Sequence, residues 1–192
     1  PILIVFAFLD CGSRASASEA PIFKSLKASF RVVVVASGLD HPWSIAFLPE
    51  GDFLVTERSG ALRLIRKGRL QDQPIAGLPE ISAKRDQGGL LDIALDPAFD
   101  QNGRLCLSYV AQAEGGRGTE IGCGIFRDDR LDEFKVIFRA LPKNKSGRHF
   151  GCRLLFADGY LYATLGDRGN RPQAQDRATH PGSVVRLMLD GS

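Results

Sequence analysis

Residues 43–56 have the sequence WSIAFLPEGDFLVT, in which two short apolar segments flank the turn-forming stretch PEGD. Apolar segments of this length on either side of a Pro/Gly turn predict a β-hairpin. The chain then passes Gly60 and continues into ALRLI (61–65), where polar and apolar residues alternate as in a half-buried strand. This part of the sequence therefore predicts short antiparallel strands connected by tight turns.

The same order of strand, turn and strand occurs twice more. Ile45, Ile93 and Leu154 occupy equivalent positions, separated by roughly 50 and 60 residues, and a repeat of this size with several strands per unit is typical of a β-propeller. A sandwich or a barrel would also contain short strands but would not repeat this order. The second and third copies comprise residues 91–97 with 102–109 and residues 153–164 with 183–188.

Turns account for the rest of the repeat. The polar, Gly-rich stretch AQAEGGRGT (111–119) lengthens the second interval and is predicted to be a surface loop. Asn102-Gly103 and Asp158-Gly159 predict tight hairpin turns. The 21 Gly and 10 Pro of the chain fit many such turns.

The N-terminal region predicts export. Residues 2–9 (ILIVFAFL) are apolar but too few to span a bilayer, and they are followed by the small residues ASA at 15–17. This pattern is that of a secretory signal peptide cleaved after Ala17, with a buried strand as the alternative. We expect a signal peptide at 1–17, a leader into the first strand at 18–35 and a partial propeller at 36–192.

Composition and charge narrow the function. The chain is 44% hydrophobic and 24% charged, which is the balance of a globular protein. Its net charge is +3, and the basic and acidic residues are interspersed along the sequence. No basic stripe indicates nucleic-acid binding, and no segment beyond the signal region is long enough to span a membrane.

About 175 residues at about 50 per blade give some three blades, whereas a closed propeller needs about 4–8, so we expect a part of a larger protein.

Three cysteines follow the signal region: Cys106, Cys123 and Cys152. No Cys-x-x-Cys spacing occurs, which argues against a zinc or redox site. We expect small buried side chains, and one disulfide between two of the three is the alternative.

Candidate chemistry lies in the loops. His149, in SGRHFGCR (146–153), precedes a predicted strand at a place where it can project into the mouth of a propeller and act as a general base. Asp167, at the exit of the following hairpin, is the candidate carboxylate partner. Gln87, in the sequence QGG, holds an equivalent place before the second repeat. A structural hydrogen-bonding role is the alternative for His149, as for His41 and His180.

Taken together, these sequences resemble the glucose/sorbosone dehydrogenases, also known as PQQ-dependent aldose sugar dehydrogenases. The resemblance covers residues 36–192 in the same order. It is carried by GLDHPWSIAFLPEG (38–51), LVTER (54–58), QGGLLDIALDP (87–97), SGRHFGCRL (146–154), LGDRGN (165–170), QAQD (173–176) and VVRL (184–187).

The resemblance implies a six-bladed propeller that is periplasmic or secreted. It implies oxidation of an aldose to its lactone at the anomeric carbon, with pyrroloquinoline quinone (PQQ) and Ca2+ as cofactors and an external electron acceptor. His149 matches the general base, Asp167 its supporting carboxylate and Gln87 a sugar-contacting amide. Arg148 stands where the glucose-type branch has Asp, so we expect it to contact substrate without a strict preference for glucose. The resemblance places most quinone contacts and the calcium ligands in later blades, so we expect no metal site in this chain.

Two other functions stay open at this level. One is a non-catalytic propeller that binds a glycan or a protein, because fold does not fix function. The other is a metal-dependent propeller lactonase, which would need inward-facing carboxylates as calcium ligands. An intact set of His149, Asp167 and Gln87 favours the dehydrogenase. We expect the chain by itself to be inactive.

Overall fold

The computed structural model describes residues 21–84 and 86–191, and every described sheet is antiparallel. The first element is a short hairpin of β1 (Ile22–Lys24) and β2 (Ser29–Arg31). The whole hairpin falls within the predicted leader, 18–35. The predicted signal peptide at 1–17 lies outside the described residues.

The first full sheet begins with the hairpin of residues 43–56. Its four strands are β3 (Pro42–Phe47), β4 (Phe53–Glu57), β5 (Leu62–Arg66) and β6 (Arg69–Leu70), each paired with the next along the chain. The predicted turn between β3 and β4 contains Gly51 at φ +84°, a conformation that glycine adopts without strain. The hairpin prediction for 43–56 is confirmed.

The second sheet also follows chain order, with β7 (Leu90–Leu95), β8 (Arg104–Ala113), β9 (Gly116–Arg127) and β10 (Arg130–Arg139). The predicted surface loop at 111–119 is wrong, because the β8–β9 ladder extends to the pair Ala113–Gly116. The turn consists of Glu114 and Gly115, with Gly115 at φ +80° and Gly116, the first residue of β9, at φ +131°, so the glycines permit a short turn rather than a long loop. The polar side chains misled the prediction, since strand pairing needs only the backbone.

A second turn prediction fails in the same sheet. Asn102-Gly103 does not form a hairpin turn; it ends the one-turn helix α1 (Phe99–Asn102) between β7 and β8. Gly103 is in the left-handed conformation at φ 63°, and its N–H donates to the carbonyl of Phe99. An Asn-Gly pair suits a helix C-terminus as well as a hairpin, because both need positive φ.

The third sheet has three described strands, β11 (Gly151–Ala157), β12 (Tyr160–Leu165) and β13 (Val184–Leu187). The predicted turn at Asp158-Gly159 joins β11 to β12, with φ values of 51° and 79°. A 3-10 helix (Arg171–Gln175) lies between β12 and β13.

The three sheets are packed as successive blades. The first strands β3, β7 and β11 are neighbours, and they carry the equivalent positions Ile45, Ile93 and Leu154. One apolar core, which includes Leu54, Leu64 and Leu107, fills the space between the first and second sheets. Another core, with members from the second and third sheets, lies on the other side of the second sheet. This is the all-β propeller predicted from the sequence repeat, of which the chain supplies roughly the first three blades.

The cysteines follow the alternative rather than the favoured prediction. Cys106 on β8 and Cys123 on β9 are directly opposite each other and form a disulfide. Only Cys152 among the described cysteines is a free, partly buried thiol. The local sequence could not identify the pair, because register across two strands decides it.

In the described part of the chain, no helix is long and apolar enough to cross a membrane.

Candidate active site

Three loops meet at one end of the inner strands. Gln87 precedes β7, His149 precedes β11 and Asp167 follows β12. Because β11 and β12 are antiparallel, with Gly151 opposite Leu165, the start of one and the end of the other lie at the same edge. The topology therefore brings the three residues together as the sequence predicted.

His149 and Asp167 form a hydrogen-bonded pair. Nδ1 of His149 lies 2.7 Å from Oδ1 of Asp167, and the imidazole is 50% exposed. The N–H of Gly169 also donates to Oδ1 of Asp167, at 2.8 Å. This backbone donor first, and His149 second, hold the pKa of Asp167 below its ordinary value of 3.8. The ionised carboxylate therefore accepts from Nδ1 and leaves Nε2 as the basic nitrogen.

Gln87 holds the backbone of the same loop. Its side-chain Oε1 accepts a hydrogen bond from the backbone N–H of His149 at 2.7 Å. The backbone N–H of Gln87 donates to the carbonyl of Gly147 at 3.0 Å. The side chain is exposed, and its Nε2 makes no hydrogen bond within the described part of the chain. The expected sugar contact stays a prediction for that free amide nitrogen.

Arg148 is exposed beside the carboxylate loop. A Cβ added to Gly169 would lie 2.8 Å from its Nε, so the guanidinium side chain passes close to the turn that follows Asp167. This places a cation at the rim of the site, where the sequence predicted a substrate contact. Arg171 lies close enough to Asp167 to contribute to its lowered pKa.

The glycines of the loops permit a close approach that no other residue allows. A Cβ on Gly166 would lie 2.0 Å from the carbonyl oxygen of His149. A Cβ on Gly147 would lie 2.7 Å from Oδ2 of Asp86. His149 itself has φ 53°, a conformation that costs a non-glycine residue energy and is held here by the surrounding contacts.

Sequence reasoning missed the layer beneath the pair. Arg117 is buried on β9 and donates to both carboxylate oxygens of Asp86, with Nη1–Oδ1 at 3.3 Å. Burial alone would raise the pKa of Asp86, but the hydrogen bonds from Arg117 and from the Gly88 N–H outweigh it and lower the pKa. Phe150 and Arg168 complete this layer. The contacts join residues far apart in sequence, so no local pattern could reveal them.

The described residues contain no group of three or more His, Cys, Asp or Glu that could hold a metal ion.

Successive antiparallel blades with a histidine–carboxylate pair at one end of the inner strands define a β-propeller with a site suited to proton transfer. A family model described as glucose/sorbosone dehydrogenase matches residues 39–192. The chain belongs to the glucose/sorbosone dehydrogenase family, as the resemblance in its sequence indicated.

Similar proteins cover the same region. The aldose sugar dehydrogenase YliI of Escherichia coli K12 is 42% identical over 169 residues, which cover 85% of this chain and 45% of that protein. The crystal structure of the soluble aldose sugar dehydrogenase from Escherichia coli in the apo-form has a TM-score of 0.79 at 42% identity, covering 83% of this chain and 47% of that one. The PQQ-bound aldose sugar dehydrogenase from Streptomyces coelicolor has a TM-score of 0.73 at 27% identity, covering 91% and 51%. This chain thus spans about half the length of the relatives it matches.

Proposed function

We propose that this chain is part of an enzyme that oxidises an aldose at its anomeric carbon to the lactone, with PQQ as hydride acceptor and His149 as general base. The observation that carries the proposal is the 2.7 Å hydrogen bond between His149 and an ionised Asp167 at the mouth of a propeller of this family. Arg148 and Gln87 are the proposed substrate contacts.

The residues divide the proton chemistry between them. With Nδ1 committed to Asp167, Nε2 of His149 takes the proton of the anomeric hydroxyl. Asp167 stabilises the resulting imidazolium and keeps the ring from rotating. Gln87 fixes the backbone from which the imidazole projects. When bound, the quinone supplies the electrophile that receives the hydride, so the protein needs no nucleophile of its own.

The residues present fit an anionic planar cofactor. PQQ carries carboxylates, and the exposed guanidinium of Arg148 lies beside the site, with the exposed Arg171 close to Asp167. Oxyanion ligands of this kind are favoured by arginine's planar donors. We propose that most other quinone contacts, and the ligands of the proposed Ca2+, come from outside this chain.

The test is made on the complete protein that contains this chain. Apo-protein is supplied with PQQ and Ca2+, an aldose and a dye acceptor, and both dye reduction and the sugar product are measured. We expect PQQ-dependent dye reduction together with formation of the lactone or the aldonic acid derived from it. Removal of Ca2+ with a chelator should abolish the activity, and added Ca2+ should restore it. Binding of PQQ without any turnover of a panel of aldoses would contradict the proposal.

The two alternatives predict different results in the same assay. A metal-dependent lactonase would hydrolyse an added lactone with no quinone or electron acceptor present. A non-catalytic binding propeller would not bind PQQ. The family relationship supports the dehydrogenase rather than either alternative, and so does the pairing of His149 with Asp167.

Export to the periplasm or beyond the cell is part of the proposal and rests on the N-terminal sequence. Mass spectrometry of the exported protein should find its N-terminus at Ser18. An exported protein that retains residues 2–17 would contradict this.

A further inference from the structure

Arg168 is a buried cation directly beneath the candidate base. Only 6% of it is exposed, and its guanidinium carbon lies 3.5 Å from the centre of the Phe150 ring. Removing a guanidinium from water is costly unless charged or hydrogen-bonding partners replace the water. The position of this residue therefore needs an explanation in its contacts.

The compensation for burial is incomplete. Nη2 donates to Oδ1 of Asn144, at 3.1 Å, and to the carbonyl of Ser146, whereas Nε and Nη1 are buried with no hydrogen-bond partner among the described residues. Burial lowers the pKa of Arg168 to about 10, and the nearby charge of Arg117 acts in the same direction. The group is still a cation at neutral pH. A buried cation with two unpaired nitrogens is poorly suited to serve only for the stability of the fold.

What Arg168 does contact is the segment that carries the base. Its side chain binds Asn144 and Ser146 ahead of His149 and stacks on Phe150 behind it. Its backbone N–H donates to the carbonyl of His149 at 3.2 Å. Arg168 also directly follows Asp167 in the sequence. This one residue therefore connects the segment that carries the imidazole to the segment that carries its carboxylate partner.

We propose that Arg168 is a positioning residue that sets the orientation of His149 relative to Asp167, through Asn144, Ser146 and the face of Phe150. The proposal rests on the proposed function of His149 as general base. Lysine could not replace it fully, because an ammonium has no flat surface to stack on the ring of Phe150. Small displacements of a catalytic group are enough to reduce turnover by about 10²-fold.

Arg186 provides a matched control in the same sheet. Its guanidinium carbon lies 4.6 Å from the centre of the Tyr160 ring, but the side chain is exposed on β13, a strand that carries none of the candidate site residues. Arg186→Met removes an arginine–aromatic contact of the same kind without touching His149.

The experiment compares Arg168→Met, Arg168→Lys and Arg186→Met in the complete protein. Aldose oxidation with PQQ gives kcat and KM, and the 15N shifts of the His149 imidazole, assigned with His149→Ala, report which nitrogen carries the proton. For Arg168→Met we expect kcat to fall about 10-fold to 10²-fold, with a smaller change in KM, and the Nδ1–H tautomer to give way to a mixture. Arg168→Lys should show the same changes more weakly, and Arg186→Met should show neither.

The proposal is overturned if Arg168→Met keeps both the kcat and the tautomer of the wild type. It is also overturned if kcat falls only in proportion to the folded fraction while the folded protein keeps the Nδ1–H tautomer. Should Arg168→Met not fold, a folded Arg168→Lys with unchanged kcat and tautomer overturns it equally. If the wild type oxidises no aldose, the proposed function fails, and the tautomer measurement still decides the role of Arg168.

Discussion

At the residue scale, the chemistry of the site depends on which atoms of His149 are already hydrogen-bonded. Its Nδ1 faces Asp167, its N–H is taken by Gln87 and its carbonyl accepts from Arg168. Only Nε2 is left to meet a substrate proton. The backbone and one ring nitrogen thus act as supports, and the other ring nitrogen, Nε2, is the proposed reactive atom.

Replacement of Asp167 by Asn should reduce turnover less than loss of the base itself. The amide still fills the space but cannot stabilise an imidazolium by charge. We expect kcat to fall by less than the 10²–10⁴-fold typical for removal of a general base. Because the pKa of Asp167 lies below 3.8, the wild-type profile of kcat/KM should show no titration of this carboxylate between pH 5 and 9. An Asp167→Asn enzyme with unchanged kcat would show that the pair is not functional.

The Asp86–Arg117 pair should make stability sensitive to acid. The folded-state pKa of Asp86 is lowered, so its contribution is complete above its ordinary value of 3.8 and is lost as the pH falls through the lowered value. The melting temperature of Asp86→Asn should therefore lie below that of the wild type at pH 7, and the gap should narrow below pH 4. Asp132→Asn, which breaks surface ion pairs with Arg127 and Arg130, should show a much smaller gap. A gap for Asp86→Asn that is constant from pH 7 to 3 would contradict this.

The sequence could single out His149, Asp167 and Gln87 as candidates that the fold brings together, because each stands at the junction of a loop and a strand within a recognisable stretch. It could not predict Asp86 with Arg117, since these residues are 31 positions apart and meet only after β9 has paired with β8. Arg168 lay inside a quoted stretch, LGDRGN, but nothing local indicated that its side chain turns inward onto Phe150.

At the element scale, a buried carboxylate joins the inner strands of the three blades. Asp92 on β7 accepts from Ser44 Oγ on β3 at 2.5 Å, and from Arg153 Nη1 and the Leu154 N–H on β11 at 2.8 Å and 2.7 Å. Blade packing here is thus directional as well as apolar. The carboxylate sets where each inner strand lies relative to its neighbours.

Asp92→Ala should be strongly destabilising. The change leaves a buried N–H and a hydroxyl without an acceptor, which is worth about 3 kcal/mol in the free energy of unfolding. The measurement is chemical denaturation of the complete protein, with Asp100→Ala on the surface of α1 as control. Equal unfolding midpoints for the two variants would contradict a role of Asp92 in joining the blades.

Strand order was predictable from the repeat because apolar segments and turns alternate along the chain. The errors lie where composition and pairing disagree. The stretch 111–119 is polar and Gly-rich, yet its backbone completes the β8–β9 ladder, and Cys106 with Cys123 shows a pairing that depends on that register. Such features belong to the fold as a whole and leave no local signal.

At the scale of the whole molecule, the third sheet exposes several apolar side chains on its outer face. Leu155 and Val184 are 60% and 67% exposed, and Met188 just beyond β13 is also exposed. Their strand neighbours Leu154 and Leu187 are buried against the second sheet. A face of this kind suits packing against a further blade, in keeping with a chain that spans about half of its relatives.

Residues 18–192 expressed alone should therefore self-associate and lack activity with PQQ and Ca2+. Exposed apolar surface and unpaired strand edges favour association. Light scattering and a thermal melt provide the measurement, and the double change Leu155→Ser and Val184→Ser should reduce association. A monodisperse, cooperatively melting and active monomer would show that these three blades suffice.

The central claim, that His149 is the general base of an aldose dehydrogenase, is tested most directly by His149→Ala in the complete protein. His41→Ala is the matched control, because His41 also precedes an inner strand at positive φ and bonds a carboxylate, that of Asp40, at 2.5 Å. We predict that His149→Ala still binds PQQ but oxidises aldose about 10²–10⁴-fold more slowly, whereas His41→Ala has the turnover of the wild type. Wild-type turnover by His149→Ala would contradict the account.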